Sequence, residues 1–255
     1  MMFDITMSIV TYNNEKIIGK TIKSIVEHIY DVNYKIYVID NNSTDRTCDI
    51  VKEIDGNIEL IENADNEGFG KAHNKVLNKL NSKYHIVVNP DIVIENKVII
   101  DMYNYMEQNQ DVGLLTPLVK GIDNEIQYLA KREVTFIDLL IRRFLPGFFK
   151  KRQDYFEMRD TNYNSYFKVP YATGCFMFFR TDIYKKLEGF DENFFMYLED
   201  ADITKRVNKI SKTIFFPDNY VIHEWQRGSH KSFKLTWVNI ESLFYYFKKW
   251  GFKLY

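Results

Sequence analysis

Several protein classes are excluded by what this chain lacks. Only two cysteines, Cys48 and Cys175, occur in 255 residues, with no CxxC and no Cys/His ligand spacing. Neither a disulfide framework nor a structural zinc site is expected, and a reducing cytoplasm is the natural setting. Charge of one sign is lacking too: 34 basic and 35 acidic side chains leave a formal net charge of −1. That balance excludes the basic excess of a general nucleic-acid binder, so no nucleic-acid partner is expected. No uncharged apolar run approaches the ~18 residues needed to cross a membrane. The opening MMFDITMSIV carries no basic segment ahead of a hydrophobic core, so no secretory leader is expected. Repeats and low-complexity stretches are missing as well. With 45% hydrophobic residues the chain can bury a full core, and its length fits one large α/β domain with a decorated C-terminal third.

What is present is an alternation of strand and helix patterns. Residues 5–11 (ITMSIVT), 35–40 (KIYVID), 58–63 (IELIEN) and 85–89 (HIVVN) read as short, buried strands rich in β-branched residues. Between them, apolar residues recur at helical spacing: Ile18, Ile22, Ile25 and Ile29, then Thr47, Ile50, Val51 and Ile54, then Phe69, Ala72, Val76, Leu77 and Leu80. Ser43 or Thr44 is placed to cap the second of these helices. The alternation predicts an open, mostly parallel sheet flanked by helices, with ligands bound beyond the carboxyl ends of the strands. Four polar loops fall at that edge: TYNN (11–14), DNNSTD (40–45), NEGFG (66–70) and NPD (89–91). They point to a single pocket. Further along, VGLLTP, the run 171–180, TIFF (213–216) and YVIH (220–223) read as strands. Trp237, Ile240, Phe244 and Phe247 mark a helical, aromatic tail over 231–255.

Chemistry-bearing residues sit at these loops. Asp40, ending a buried strand beside Asn41, Asn42 and Ser43, either caps the following helix or accepts from the N3–H of a pyrimidine base. Gly68 and Gly70 let the chain turn tightly into a helix whose amides, with Asn74, face the pocket; without a third spaced glycine they form neither a P-loop nor a dinucleotide fingerprint. Asp91 follows a strand and a proline, the place where one carboxylate together with a nucleotide diphosphate suffices for Mg²⁺ or Mn²⁺. Glu199, Asp200 and Asp202 crowd three carboxylates into four positions at a helix start. Asp202 pairs naturally with Arg206 at i+4. One of Glu199 and Asp200 is left to act as a general base, its affinity for protons raised by the like charge beside it. His223 ends the last strand pattern and is either an ordinary buried or surface histidine or a further metal ligand, and Arg227 with Ser229 is suited to phosphate oxygens.

Taken in order, SIVTYNN, VIDNNSTD, NEGFGKAHN, NPD, GCFMFFR, GFDENFFMYLEDADITKRV and HEWQRGS resemble the family 2 glycosyltransferases of the GT-A fold, and among them the bacterial rhamnosyltransferases most. The resemblance covers residues 5–230 and implies a GT-A domain over 1–230, with a nucleotide-binding half (1–110) and an acceptor or catalytic half (111–230). It implies a nucleotide-diphospho-sugar donor, a divalent metal (Mn²⁺ or Mg²⁺), and inversion at the anomeric carbon. Thr11, Tyr12 and Asn13 match the first nucleotide loop, Asp40 the base contact, and Asn42, Gly68, Phe69 and Asn74 the donor pocket. Asp91 matches the metal ligand, Asp200 with Glu199 the catalytic pair, and His223 the C-terminal metal ligand. Asn89 stands where a strict DxD has its first Asp. The implied activity is rhamnosyl transfer from dTDP-L-rhamnose in bacterial surface polysaccharide synthesis. A UDP-hexose donor, a nucleotidyltransferase and a silent nucleotide-sugar-binding module remain as alternatives.

Residues 131–152 form a basic, aromatic insertion: Lys131, Arg132, Arg142, Arg143, Lys150, Lys151 and Arg152 against Glu133 and Asp138. Interleaved with Phe136, Leu140, Phe148 and Phe149, the segment suits either an anionic membrane surface serving a lipid-linked acceptor, or a flap packed on the core. The tail allows the same two readings and a homodimer contact as a third.

Overall fold

The computed structural model describes residues 2–145, 147–224 and 233–255. Its first half runs β1 (Phe3–Thr11), α1 (Ile18–His28), β2 (Tyr34–Asp40), α2 (Thr47–Lys52), β3 (Ile58–Glu62), α3 (Gly70–Asn74), β4 (Ser82–Val88), β5 (Ile92–Val93) and α4 (Val98–Gln108). There follow β6 (Val112–Lys120), β7 (Ala130–Lys131), α5 (Phe136–Phe144), α6 (Lys150–Phe156), β8 (Phe167–Lys168), β9 (Tyr171–Ala172), β10 (Phe176–Arg180), α7 (Thr181–Lys186), α8 (Glu199–Ile210), β11 (Lys212–His223) and α9 (Phe233–Trp250).

Among the described residues nine strands form one sheet in the order β3-β2-β1-β4-β10-β6-β11-β5, with β8 added against β11. The β3–β2–β1–β4 block and the β6–β11 pair are parallel. Between the two blocks β10 runs antiparallel. This is the predicted α/β plan, and it carries the ends of β1, β2 and β4 and the start of β10 to one edge. Side chains alternate faces along each strand. Ile5, Met7 and Ile9 pack under α1 and α4 with Ile86, Val88, Phe176 and Phe178, while Ile39, Val87, Met177 and Phe179 pack under the α3, α7 and α8 side.

Several elements depart from their sequence pattern for local reasons. The helix expected over 69–80 shortens to α3 plus a 3-10 turn at Leu77–Lys79, because Lys75 and Lys79 bond three residues back, to Ala72 and Val76. The strand expected over 171–180 splits into β9 and β10, since the amide of Gly174 is given to Asp200 rather than to a ladder. The patterns at 213–216 and 220–223 join as β11, with a register shift between Phe216 and Tyr220 where Pro217 offers no N–H. Neither Ser43 nor Thr44 caps α2. The N-cap position is Arg46, without a side-chain cap bond; Asp45 before it accepts the Thr47 N–H at 3.0 Å, and Ser43 is bonded to Asp40.

The tail is helical with the right period but another phase. Leu243, Tyr246, Phe247 and Trp250 pack against Phe194, Leu198 and Ala201, whereas Trp237 and Phe244 are 63% and 71% exposed. Asp202 decides this phase. Fully buried, it accepts from Arg206 at 2.7 Å, Lys249 at 2.7 Å and Trp250 Nε1 at 2.9 Å. The helix that presents Glu199 and Asp200 is therefore clamped from behind by α9.

Candidate active site

The first two loops order each other. Thr11 and Asp40 are register partners at the ends of β1 and β2, and Thr11 Oγ1 donates to Asp40 Oδ1 at 2.8 Å. Ser43 adds its backbone N–H to Oδ2 at 2.7 Å and its hydroxyl to Oδ1 at 2.5 Å. Asp40 thus ties the turn after its own strand. Asn13 accepts from the Thr44 N–H at 2.8 Å and gives its own N–H to Ser43 Oγ at 2.8 Å. Asn13 and Asn42 both take a left-handed backbone, φ +55° and +65°, which asparagine tolerates. Tyr12, 50% exposed, and Asn42 stand at the rim.

The 66–70 loop leans on the segment before α8. Gly68 has φ +83°, and a Cβ there would lie 2.1 Å from Phe195 O; Phe69 N donates to the same carbonyl at 3.0 Å. Close backbone approach explains Gly68 without a ligand. Asn41, which the sequence reading did not single out, donates to Gly68 O and accepts from Asn63, each at 2.9 Å. Asn74 does not present a free amide to the pocket as expected. Its Oδ1 accepts the Phe190 N–H at 2.9 Å and its Nδ2 donates to Phe190 O at 2.8 Å, so it braces the segment leading to α8. Phe69 does face inward: a Cβ on Gly174 would meet its ring at 3.4 Å.

Asp91 and His223 are remote in sequence and meet. β5 pairs with the end of β11, and Asp91 O accepts the Glu224 N–H at 2.9 Å. Asp91 Oδ1 then lies 3.4 Å from His223 Nε2. Gln127, absent from the sequence reading, orients the ring: its Nε2 donates to His223 O at 3.0 Å, which turns its Oε1 toward Nδ1 at 2.9 Å. Nδ1 is thereby directed at Gln127 and Nε2 at Asp91. Asp91 Oδ1 is buried without a hydrogen-bond partner among the described residues. A carboxylate oxygen and an imidazole nitrogen face to face are ligand types that fit a divalent cation, with the Gln127 contact as orienting support. Among the described residues no third His, Cys, Asp or Glu joins them, so oxygens of a ligand or of water would have to complete such a site.

Asp200 meets the chain just before β10. Its Oδ2 accepts the Gly174 N–H at 3.0 Å and the Tyr171 hydroxyl at 3.4 Å, and its Oδ1 accepts the Ala201 N–H at 2.8 Å. Burial pushes its proton affinity up, against the pull of Lys131 and these N–H groups. Glu199 is raised well above the usual carboxylate range by burial and by Asp200. Next along the chain, Cys175 O accepts the Asn89 N–H at 2.9 Å. Gly174 and Cys175 therefore bridge the NPD turn to the start of α8. Burial lifts the Cys175 thiol to about 12, and Asp91 and Asp200 both add to the rise. Glu199 and Asp200 open into a cavity of about 680 Å³ lined also by Lys131, Leu139, Arg142, Phe148 and Tyr171. Arg227 lies outside the described residues.

A model of the glycosyl transferase family 2 matches residues 6–188. The chain belongs to that family. A 207-residue stretch is 24% identical to the N-acetylglucosaminyl-diphospho-decaprenol L-rhamnosyltransferase of Mycobacterium tuberculosis, covering 74% of this chain and 66% of that protein. The rhamnosyltransferase WbbL of Escherichia coli is 23% identical over 223 residues, 84% of this chain and 81% of WbbL. In fold, this family 2 chain is similar to the Pyrobaculum calidifontis mannosyltransferase PcManGT in complex with GDP-Man and Mn²⁺, at TM-score 0.63 and 17% identity over 90% of this chain and 59% of that one. It is likewise similar to S. aureus TarS 1–349 in complex with UDP-GlcNAc, at TM-score 0.63 and 19% identity over 93% and 66%. The expected GT-A fold is thus found. The chain spans just under two thirds of the mycobacterial relative.

The basic insertion of this family 2 chain is less cationic than its sequence window suggests. Lys131 is not at a surface but 5% exposed, lining the same cavity as Asp200. Arg132 pairs with Asp160 at 2.7 Å, Arg142 with Glu157 at 3.4 Å and Arg152 with Asp138 at 2.6 Å, and two of those carboxylates lie beyond the window. Phe136 and Leu139 pack inward, while Phe148 and Phe149 are 66% and 62% exposed next to Lys150 and Lys151. Among the described residues no helix is long and apolar enough to cross a membrane.

Proposed function

We propose that the chain is an inverting glycosyltransferase that moves L-rhamnose from dTDP-L-rhamnose to a saccharide or lipid-linked acceptor in bacterial surface polysaccharide synthesis. The observation that carries this reading is the bridge of Gly174 and Cys175 between two acidic centres. Gly174 holds Asp200 at 3.0 Å and Cys175 holds the NPD turn at 2.9 Å. One centre opens into a cavity for an acceptor, and the other carries a carboxylate and an imidazole suited to a cation. The relatives named as rhamnosyltransferases support the choice of sugar.

In this mechanism the loops around Thr11, Tyr12, Asn13, Asp40 and Asn42 take the nucleoside, and Phe69 and Gly68 border the sugar. Asn89 and Arg227 are assigned to the donor phosphates. Asp91 and His223 would hold Mn²⁺ or Mg²⁺, which when bound supplies positive charge for the departing diphosphate. The acceptor hydroxyl enters beside Asp200, whose carboxylate removes its proton as the oxygen attacks the anomeric carbon. The bond from that carbon to the nucleotide oxygen breaks, and configuration inverts once. Exposed Phe148 and Phe149 beside lysines favour work at the inner face of the cell membrane, where a lipid-linked acceptor resides.

A panel of nucleotide sugars tests the donor. With Mn²⁺ or Mg²⁺ present, dTDP-L-rhamnose is expected to give the largest rise in melting temperature and, with acceptor, to release dTDP. A larger response to a UDP-hexose would transfer the assignment to that donor. No response to any nucleotide sugar would overturn the proposal.

A further inference from the structure

Glu199 and Asp200 are adjacent carboxylates, 6% and 8% exposed, and two such neighbours do not both ionise readily. Their surroundings differ. Glu199 Oε2 is buried with no hydrogen-bond partner among the described residues. Asp200 is met by N–H groups and a hydroxyl, and Lys131 lines the same cavity. The two-stranded ladder pairs Lys131 with Tyr171, whose hydroxyl donates to Asp200. Lys131 Nζ lies 4.7 Å from the Tyr171 ring centroid and donates to Thr173 Oγ1 at 3.2 Å. Unlike Arg132, Arg142 and Arg152 around it, Lys131 forms no ion pair among the described residues. A buried ammonium held only by a hydroxyl and a ring is unfavourable for folding, so its position asks for another explanation.

We infer that Lys131 is a positioning residue that makes Asp200, and not Glu199, the anionic member of the pair. Its positive charge draws Asp200 toward the ionised form, while the influences on Glu199 are burial, Asp200 and its own backbone. Glu199 then keeps its proton and stands as a neutral neighbour. The groups facing Asp200 are Glu199 on its own helix, Lys131 from β7, Tyr171 from β9, Cys175 before β10 and Tyr246 from α9. Arg142 and Glu157 act on Lys131 in opposite directions, and burial with Arg142 brings the ammonium down to about 7. The pair of charges is thus most effective below neutrality.

The inference rests on Asp200 being the base, and two measurements separate them. Carboxyl carbon NMR, with signals assigned through E199Q and D200N, reads both titrations in the wild-type protein without any transfer reaction. Asp200 is expected to titrate below Glu199. In K131Q, which keeps a donor for Thr173 but loses the charge, Asp200 should move up by roughly one pH unit or more, and the acid limb of kcat should follow. K131R should stay near wild type. If Glu199 titrates below Asp200 in the wild type, or Asp200 does not move in folded K131Q, the inference is overturned. A D200N variant that transfers sugar normally would remove the base reading while leaving the charge assignment intact.

Discussion

Gly174 gives its backbone N–H to Asp200 Oδ2 at 3.0 Å, and the lack of a side chain on Gly174 is what lets α8 come that close. A Cβ there would lie 3.3 Å from Asp200 Cβ and 3.4 Å from the Phe69 ring, so one methyl group would press on the proposed base and touch the proposed donor-side aromatic. G174A should lower kcat roughly tenfold or more, as misplacement at a reacting centre does. The melting temperature should fall by only a few degrees. Steady-state rates and thermal unfolding on the same preparation check this; an unchanged kcat would detach Gly174 from the chemistry.

Gln127 is assigned no contact with donor or acceptor, yet it orients the His223 ring through contacts of 2.9 and 3.0 Å. Q127A is expected to weaken Mn²⁺ binding roughly tenfold, measured by calorimetry with the nucleoside diphosphate present. D91A should weaken it further, and chelation of the metal should reduce wild-type turnover. Equal Mn²⁺ affinity in wild type, Q127A and D91A would place the cation elsewhere.

Acid sensitivity follows from two histidines under the sheet. His85 bridges Thr6 and Ser8 at 3.0 Å each, and His73 meets Ser8 at 2.7 Å. Burial drives His85 down to about 3 and His73 well below its ordinary value. Above pH ~6.5 both folded and unfolded chains hold neutral rings and nothing is lost. Below it the unfolded chain binds protons that the folded chain refuses, so stability falls toward pH 3 by about 1.4 kcal/mol per pH unit per histidine. Urea midpoints from pH 8 to 4 should be flat and then decline. H85Q should have a shallower decline than wild type, whatever its stability at pH 8.

Membrane contact, if it serves the acceptor, depends on Phe148 and Phe149 more than on net charge, because Arg132, Arg142 and Arg152 are already paired. Wild type should float with vesicles containing anionic lipid, and a double variant with serine at 148 and 149 should remain at the bottom of the gradient. Flotation that fails for wild type with every lipid mixture would leave a soluble acceptor.

The strand and helix plan was legible because buried strands alternate faces and helices repeat every three to four residues, and β1 through β4 lie where those patterns put them. Asp202 with Arg206 was legible for the same reason, being a one-turn pair. Lys131, Gln127 and Asn41 were not, since no spacing marks a side chain whose partners are many residues away. Lys131 was counted with a surface charge run, and only the ladder of two short strands reveals that it turns inward. Asn74 failed in the other direction: a polar residue in a suggestive motif proved to be a brace for Phe190. The tail helix was visible by period, but its phase was set by Asp202 receiving Trp250 and Lys249, a contact no local pattern encodes.

In the proposed reaction Asp91 serves the donor and Asp200 the acceptor hydroxyl within one site. Nucleotide affinity and single-turnover transfer measured side by side for wild type, D91N and D200N separate the two roles. D200N is predicted to bind the donor nucleotide within about twofold of wild type while transferring at least ~100-fold more slowly, and D91N to lose nucleotide affinity in the presence of metal. A D200N protein that transfers at the wild-type rate, or a D91N protein that binds the nucleotide and its metal unchanged, would contradict the account.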